Sequence, residues 1–142
     1  MHFIATTTVK HATTQLDRIF IIHPVNCLNY NNALNLQQTF TEVLSFSPTL
    51  CIIDLSKVYF ADSSALFQAI AVYKNAKQQK CRLVFCCLQP SIKLMLEITQ
   101  LDRVFEIFDS LEDVLKQCTK IKSATFLLKK SKQFSNVLLD FL

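Results

Sequence analysis

No glycine occurs anywhere among the 142 residues. Average usage of about 7% would supply roughly ten. The absence removes the GxGxxG and Walker loops, where Gly lets the backbone approach a phosphate. It removes the GxSxG nucleophile elbow as well. Any turn that needs a positive φ must be made by another residue, and Asn and Asp tolerate that region best. Asn26, Asn29, Asn31 and Asn32 cluster just after Pro24 and predict a turn there.

Between such signals the apolar pattern alternates between two periods. Phe3–Val9 and Arg18–His23 are rich in β-branched residues and predict two strands joined as a hairpin. Ala33, Leu36, Phe40, Val43 and Leu44 recur at helical spacing and predict a helix over 31–46, closed by Pro48. Leu50–Leu55 and Arg82–Leu88 are short apolar runs of the kind buried on both sheet faces. Helices follow at Ser63–Lys80 and from Pro90, then a strand at Val104–Phe108 and a short helix capped by Asp109-Ser110. Strands alternating with helices predict a single α/β domain over 1–118. The sheet is expected to be mixed, with four to five strands and the helices packed mainly on one face. No internal repeat is present.

Charge narrows the partners. Residues 1–118 carry ten basic and ten acidic side chains, and the net charge of +4 comes wholly from 119–142, with five Lys and one Asp. A nucleic-acid binder spreads basic residues over a face of its domain, so no nucleic-acid partner is expected. On a helical wheel Leu127, Phe134, Leu138 and Phe141 share a face opposite Lys129, Lys132 and Asp140. That pattern predicts a basic amphipathic helix or tail over 119–142, suited to packing, self-association or peripheral membrane contact.

No catalytic set is apparent. Asp54 and Asp62 stand eight apart across a strand-to-helix loop, with no His adjoining them in sequence. The three His form no HxxxH or HExxH pattern, and the six Cys contain no CxxC pair. Neither a metal nor another cofactor is expected. The cysteines are expected to be reduced core residues in a cytoplasmic protein, since no secretory signal pattern opens the sequence.

The informative stretch is Asp54-Leu55-Ser56 followed by Asp62-Ser63-Ser64-Ala65-Leu66. The Asp and Ser residues suit a helix N-cap, and two hydroxyls there sit where the helix dipole favours a phosphate. The chain here resembles the STAS domain of bacterial anti-sigma-factor antagonists, with its strand, D-L-S, D-S-S/T/A-G-L and helix. Pro90-Ser91-Ile92-Lys93 and Leu96-Glu97-Ile98-Thr99-Gln100-Leu101-Asp102-Arg103-Val104-Phe105 extend the match. Gln100 in place of Gly is similar to cyanobacterial members. Asn26 and Asn29 stand at the Gly and Asp of the family's G-x-L-D turn, and Ala65 at a further Gly.

The resemblance implies a non-enzymatic switch. Ser63, rather than Ser64, is the phosphate acceptor that it implies. Asn29, Asp62, Ser63, Ser64, Ala65 and Leu66 are the partner-binding residues it implies. The implied partners are an anti-sigma factor with serine kinase activity and a serine phosphatase. An accessory subunit of a membrane transport system shares the same Asp-Ser signature, and a third reading is a constitutive protein-interaction module that has lost phosphorylation.

Overall fold

A computed structural model of the chain describes residues 8–13, 18–118 and 132–133. The elements run β1 (Thr8–Thr13), β2 (Arg18–His23), β3 (Asn26–Leu28), α1 (Tyr30–Leu44), β4 (Leu50–Asp54) and β5 (Val58–Ala61). They continue α2 (Ser63–Gln78), β6 (Arg82–Cys86), α3 (Pro90–Ile98), a 3-10 turn (Leu101–Arg103), β7 (Glu106–Phe108), α4 (Leu111–Cys118) and β8 (Lys132–Gln133).

The main sheet has the order β7-β6-β4-β2-β1-β8. Strands β2, β4, β6 and β7 are parallel, and β1 pairs antiparallel with β2 and with β8. This is the mixed α/β sheet that the strand–helix alternation predicts, with the two-residue β8 added at one edge. A separate parallel pair joins β3 to β5.

Strand periodicity divides the core into two layers. Phe20, Ile22, Cys51, Ile53, Leu83 and Phe85 face one side and pack under α1, α2 and α3 through Phe40, Val43, Val72, Ala76, Ile92 and Leu96. Ile19, Ile21, Leu50, Ile52, Val84 and Cys86 face the other and meet Val114 and Leu115 of α4. Three helices thus cover one face and one covers the other. Every residue of β4 is buried, which is why it reads as a continuous apolar run.

Several boundaries differ from the sequence expectation. The first strand, described over Thr8–Thr13, runs past the expected end at Val9; the earlier part of Phe3–Val9 lies outside the described residues. The Asn cluster is not turn throughout, because Asn26–Leu28 forms β3. The strand expected from Val104 starts at Glu106, because the 3-10 turn carries the chain to Val104 first. The expected tail helix lies outside the described residues, save Lys132 and Gln133, which are extended.

The missing glycines leave a backbone mark. Asn26, Ser47, Lys80, Cys87 and Gln100 all have positive φ. Only the first is of the type expected. The other four sit where a helix or strand must end abruptly, and there the surrounding packing imposes the left-handed residue.

Candidate functional site

The site grows from the ends of two strands. β4 delivers Asp54, buried at the sheet's carboxyl edge, and the chain turns through Leu55–Lys57 into β5. The turn is tied down on several sides. Leu55 N–H donates to Cys86 O at 3.0 Å, Gln89 Nε2 to Ser56 O at 2.5 Å, and Ser91 Oγ to Tyr59 O at 2.8 Å. β5 then leads into Asp62, whose backbone N–H donates to Leu28 O at 3.1 Å.

Asp62 is the N-cap of α2, and its Oδ1 accepts from the Ala65 N–H at 3.0 Å. Ser63 and Ser64 follow as the first two helical residues. Ser63 is exposed and Ser64 half-buried. The bond from Asp62 to Leu28 sets α2 beside the start of α1, where Asn29 is the N-cap and accepts from the Asn32 N–H at 3.1 Å. Asn and Asp cap equally well, so Asn29 keeps the structural part of an Asp at this position without its charge. The fold therefore brings Asn29, Asp62, Ser63 and Ser64 to one place, at two adjacent helix N-termini.

Two of the anticipated residues sit deeper. Ala65 is buried, with its methyl in the core, and Leu66 is half-buried against the same cluster. Ala65 thus sets the seat of the helix, with its side chain covered in the chain by itself. The side chains that do project near the Ser63 helix start are Tyr59, Phe60 and Phe67, exposed by 63%, 56% and 72%. Phe67 lies one turn after Ser63 and shares its face. Sequence inspection missed all three. The available signal was an aromatic pair just before the cap and a Phe four residues after the first Ser.

Asp54 serves the scaffold. Its Oδ1 accepts from the Ser56 N–H at 2.9 Å, and its Oδ2 lies 3.3 Å from His23 Nδ1. Burial alone would push its carboxyl up. The hydrogen bonds from His23 and Ser56 outweigh that and hold it at about 2. The fold supplies, from β2, a histidine that lies 31 residues away in sequence. Asp62 caps a helix and Asp54 anchors a turn, so the two do not share one reacting position.

All six cysteines are free thiols. Cys51, Cys81 and Cys86 are core residues, as expected, and burial pushes the Cys81 thiol up to about 11. Cys27, Cys87 and Cys118 are half-buried.

Comparison with known proteins adds one family match and three likenesses of fold. The family profile of the STAS domain matches residues 10–114. An anti-sigma factor antagonist from Mycobacterium paratuberculosis, 22% identical, superimposes with a TM-score of 0.65 over 78% of this chain and 92% of its own. A sulfate transporter family protein from Wolinella succinogenes, 12% identical, gives 0.63 over 69% and 82%. The Bacillus cell fate determinant SpoIIAA in its phosphorylated form, 12% identical, gives 0.56 over 74% and 93%. No helix among the described residues is long and apolar enough to cross a membrane.

Proposed function

The chain belongs to the STAS domain family, and on that footing we propose that it is a cytoplasmic anti-sigma-factor antagonist that acts by binding and is switched by phosphorylation of Ser63. Unphosphorylated, it docks on an anti-sigma factor with serine kinase activity; a serine phosphatase resets it. The observation that carries this reading is the exposed residue Ser63 at the first position of α2, following the capping Asp62 and close in sequence to the exposed aromatics Tyr59, Phe60 and Phe67.

The physics is local. A phosphate adds about −1.5 to −2 charges. At a helix N-terminus the dipole tolerates that charge, so the fold need not change. Next to Asp62 and an exposed aromatic rim, the same charge repels an acidic partner and keeps water in a contact that would otherwise close.

The transport reading has its own support in the likeness to the sulfate transporter family protein. The two separate by partner. Capture from the native host should bring down an ATPase-type kinase in the first case and a membrane transport subunit in the second.

The test uses purified kinase. Ser63→Ala should abolish phosphate incorporation, and Ser63→Asp should weaken calorimetric binding roughly tenfold, about 1.4 kcal/mol. Label that persists in Ser63→Ala and vanishes in Ser64→Ala would move the acceptor. Equal affinities of folded wild type and Ser63→Asp would remove this helix start from the interface.

A further inference from the structure

A second constellation lies at the carboxyl edge of the sheet, on the face covered by α4. Register puts Asp54 opposite Cys86. Cys86 and Asp54 end adjacent parallel strands with their side chains on the same face, since both share the parity of Ile52 and Val84. The next residue breaks the strand pattern. In a regular strand Cys87 would point away from Cys86, but its φ is 61°. A left-handed conformation costs a residue with a Cβ about 1–2 kcal/mol, and here it folds the second sulfur back beside the first. Both sulfurs and an Asp54 oxygen lie within 4.8 Å of one another.

The geometry points to a site for a thiophilic divalent cation of the zinc class, held by Cys86 Sγ, Cys87 Sγ and an Asp54 carboxylate oxygen. Two donors on a tetrahedral zinc stand roughly 3.3–3.8 Å apart, given bonds of about 2.0–2.3 Å. Donors up to 4.8 Å apart must draw together by roughly 1–1.5 Å to reach those separations. Three protein donors leave a fourth position for water.

The donor types suit the task, while burial and the nearby Asp54 charge push both thiols up, so the ion itself must displace their protons. Thiolates favour zinc-like ions over magnesium or calcium. Asp54 is already oriented by the Ser56 N–H and by His23 Nδ1, the outer support that ligating carboxylates commonly have. Cys86 and Asp54 are buried, whereas half-buried Cys87 offers the approach from solvent. On binding, the cation forms bonds to both sulfurs and displaces their two protons to water, leaving two thiolates, one carboxylate and one divalent ion. No change of oxidation state is needed. Sequence spacing did not disclose the site because Asp54 and Cys86 lie 32 residues apart and meet only through strand register.

The full chain, reduced and stripped with a chelator, should be titrated with cobalt(II) as a spectroscopic probe. One ion per chain is expected, with tetrahedral ligand-field bands and a sulfur-to-cobalt charge-transfer band, both abolished by zinc but not by magnesium. Cys87→Ser should lose about half the charge-transfer intensity and bind at least tenfold more weakly. Cys27→Ser and Cys118→Ser should match the wild type. A thiol-alkylation experiment reads the same site without substitution: zinc should slow modification of Cys87 at least tenfold and leave Cys27 and Cys118 unchanged. Absence of a charge-transfer band, a band undiminished in folded Cys87→Ser, or equal alkylation rates with and without zinc would each overturn the site. None of these outcomes depends on Ser63 or its kinase.

Discussion

Lys80→Gly and Gln100→Gly should stabilise this protein, against the usual effect of glycine. Lys80 closes α2 with a φ of 58°. Its own N–H donates to Lys77 O at 3.1 Å, and the Cys81 N–H donates to Ala76 O at 2.9 Å. That pair of bonds is the Schellman pattern, in which the residue after the cap must be left-handed and is usually Gly. Gln100, with φ 62° and ψ 17°, ends α3 in the same conformation. Each residue with a Cβ loses about 1–2 kcal/mol there, and Gly returns about 0.5–1 kcal/mol of that through its greater freedom when unfolded. The net gain is about 0.5–1 kcal/mol per site. The positions close different helices, so the double variant should gain about 1–2 kcal/mol. In urea unfolding the midpoint should rise with an unchanged m-value. Lys77→Gly, three residues earlier within the helix, should instead cost about 1 kcal/mol. If Lys80→Gly destabilised as much as Lys77→Gly, the left-handed helix end would be wrong.

Asp54→Asn should make stability less dependent on pH. The folded carboxyl is held at about 2 against 3.8, so its ionised form contributes about 2 kcal/mol above roughly pH 4, lost as pH falls through about 2. The gap between wild type and variant should therefore be widest at neutral pH and narrow in acid; a constant gap from pH 6 to pH 2 would contradict the His23 and Ser56 contacts. Asp62→Ala should cost about 1 kcal/mol by removing the side-chain cap and leaving the Ala65 N–H only its 3.1 Å bond to the residue-62 carbonyl, and Asp62→Asn should restore most of it; chemical denaturation of the three proteins compares them directly.

The sequence was legible where one physical signal dominated. Arg18–His23 and Pro90–Ile98 appear where their patterns place them, because an apolar run and a proline at a helix start leave few alternatives. The short pair β3 and β5 left no such signal. It has three and four residues, its strands pair with each other and not with the main sheet, and Tyr59 and Phe60 are both exposed, which breaks any alternation. At the candidate site the caps Asn29 and Asp62 were readable from residue type. The burial of Ala65, the arrival of His23 at Asp54 and the convergence of Cys86 and Cys87 on it were not. Each depends on register or on a local left-handed residue, and neither is encoded in spacing along the chain.

Two substitutions for glycine in the family's pattern separate these cases, and the same edit should move stability in opposite directions. At Gln100 the left-handed backbone demands the freedom that only Gly has without cost. At Ala65 it does not: this is the third residue of α2, with no positive φ, its N–H held by Asp62 and its methyl buried beneath the helix. Ala65→Gly should therefore destabilise. The lost helix propensity is worth about 1 kcal/mol, and the removed buried methyl about 0.8 kcal/mol more, so a total near 1–2 kcal/mol is expected beside the gain at Gln100→Gly. Urea unfolding of the two single variants under one condition makes the comparison. Gains of equal sign at both positions would mean that residue 65 is not helical in the first turn of α2, and that the exposed placement of Ser63 on that turn must be abandoned with it.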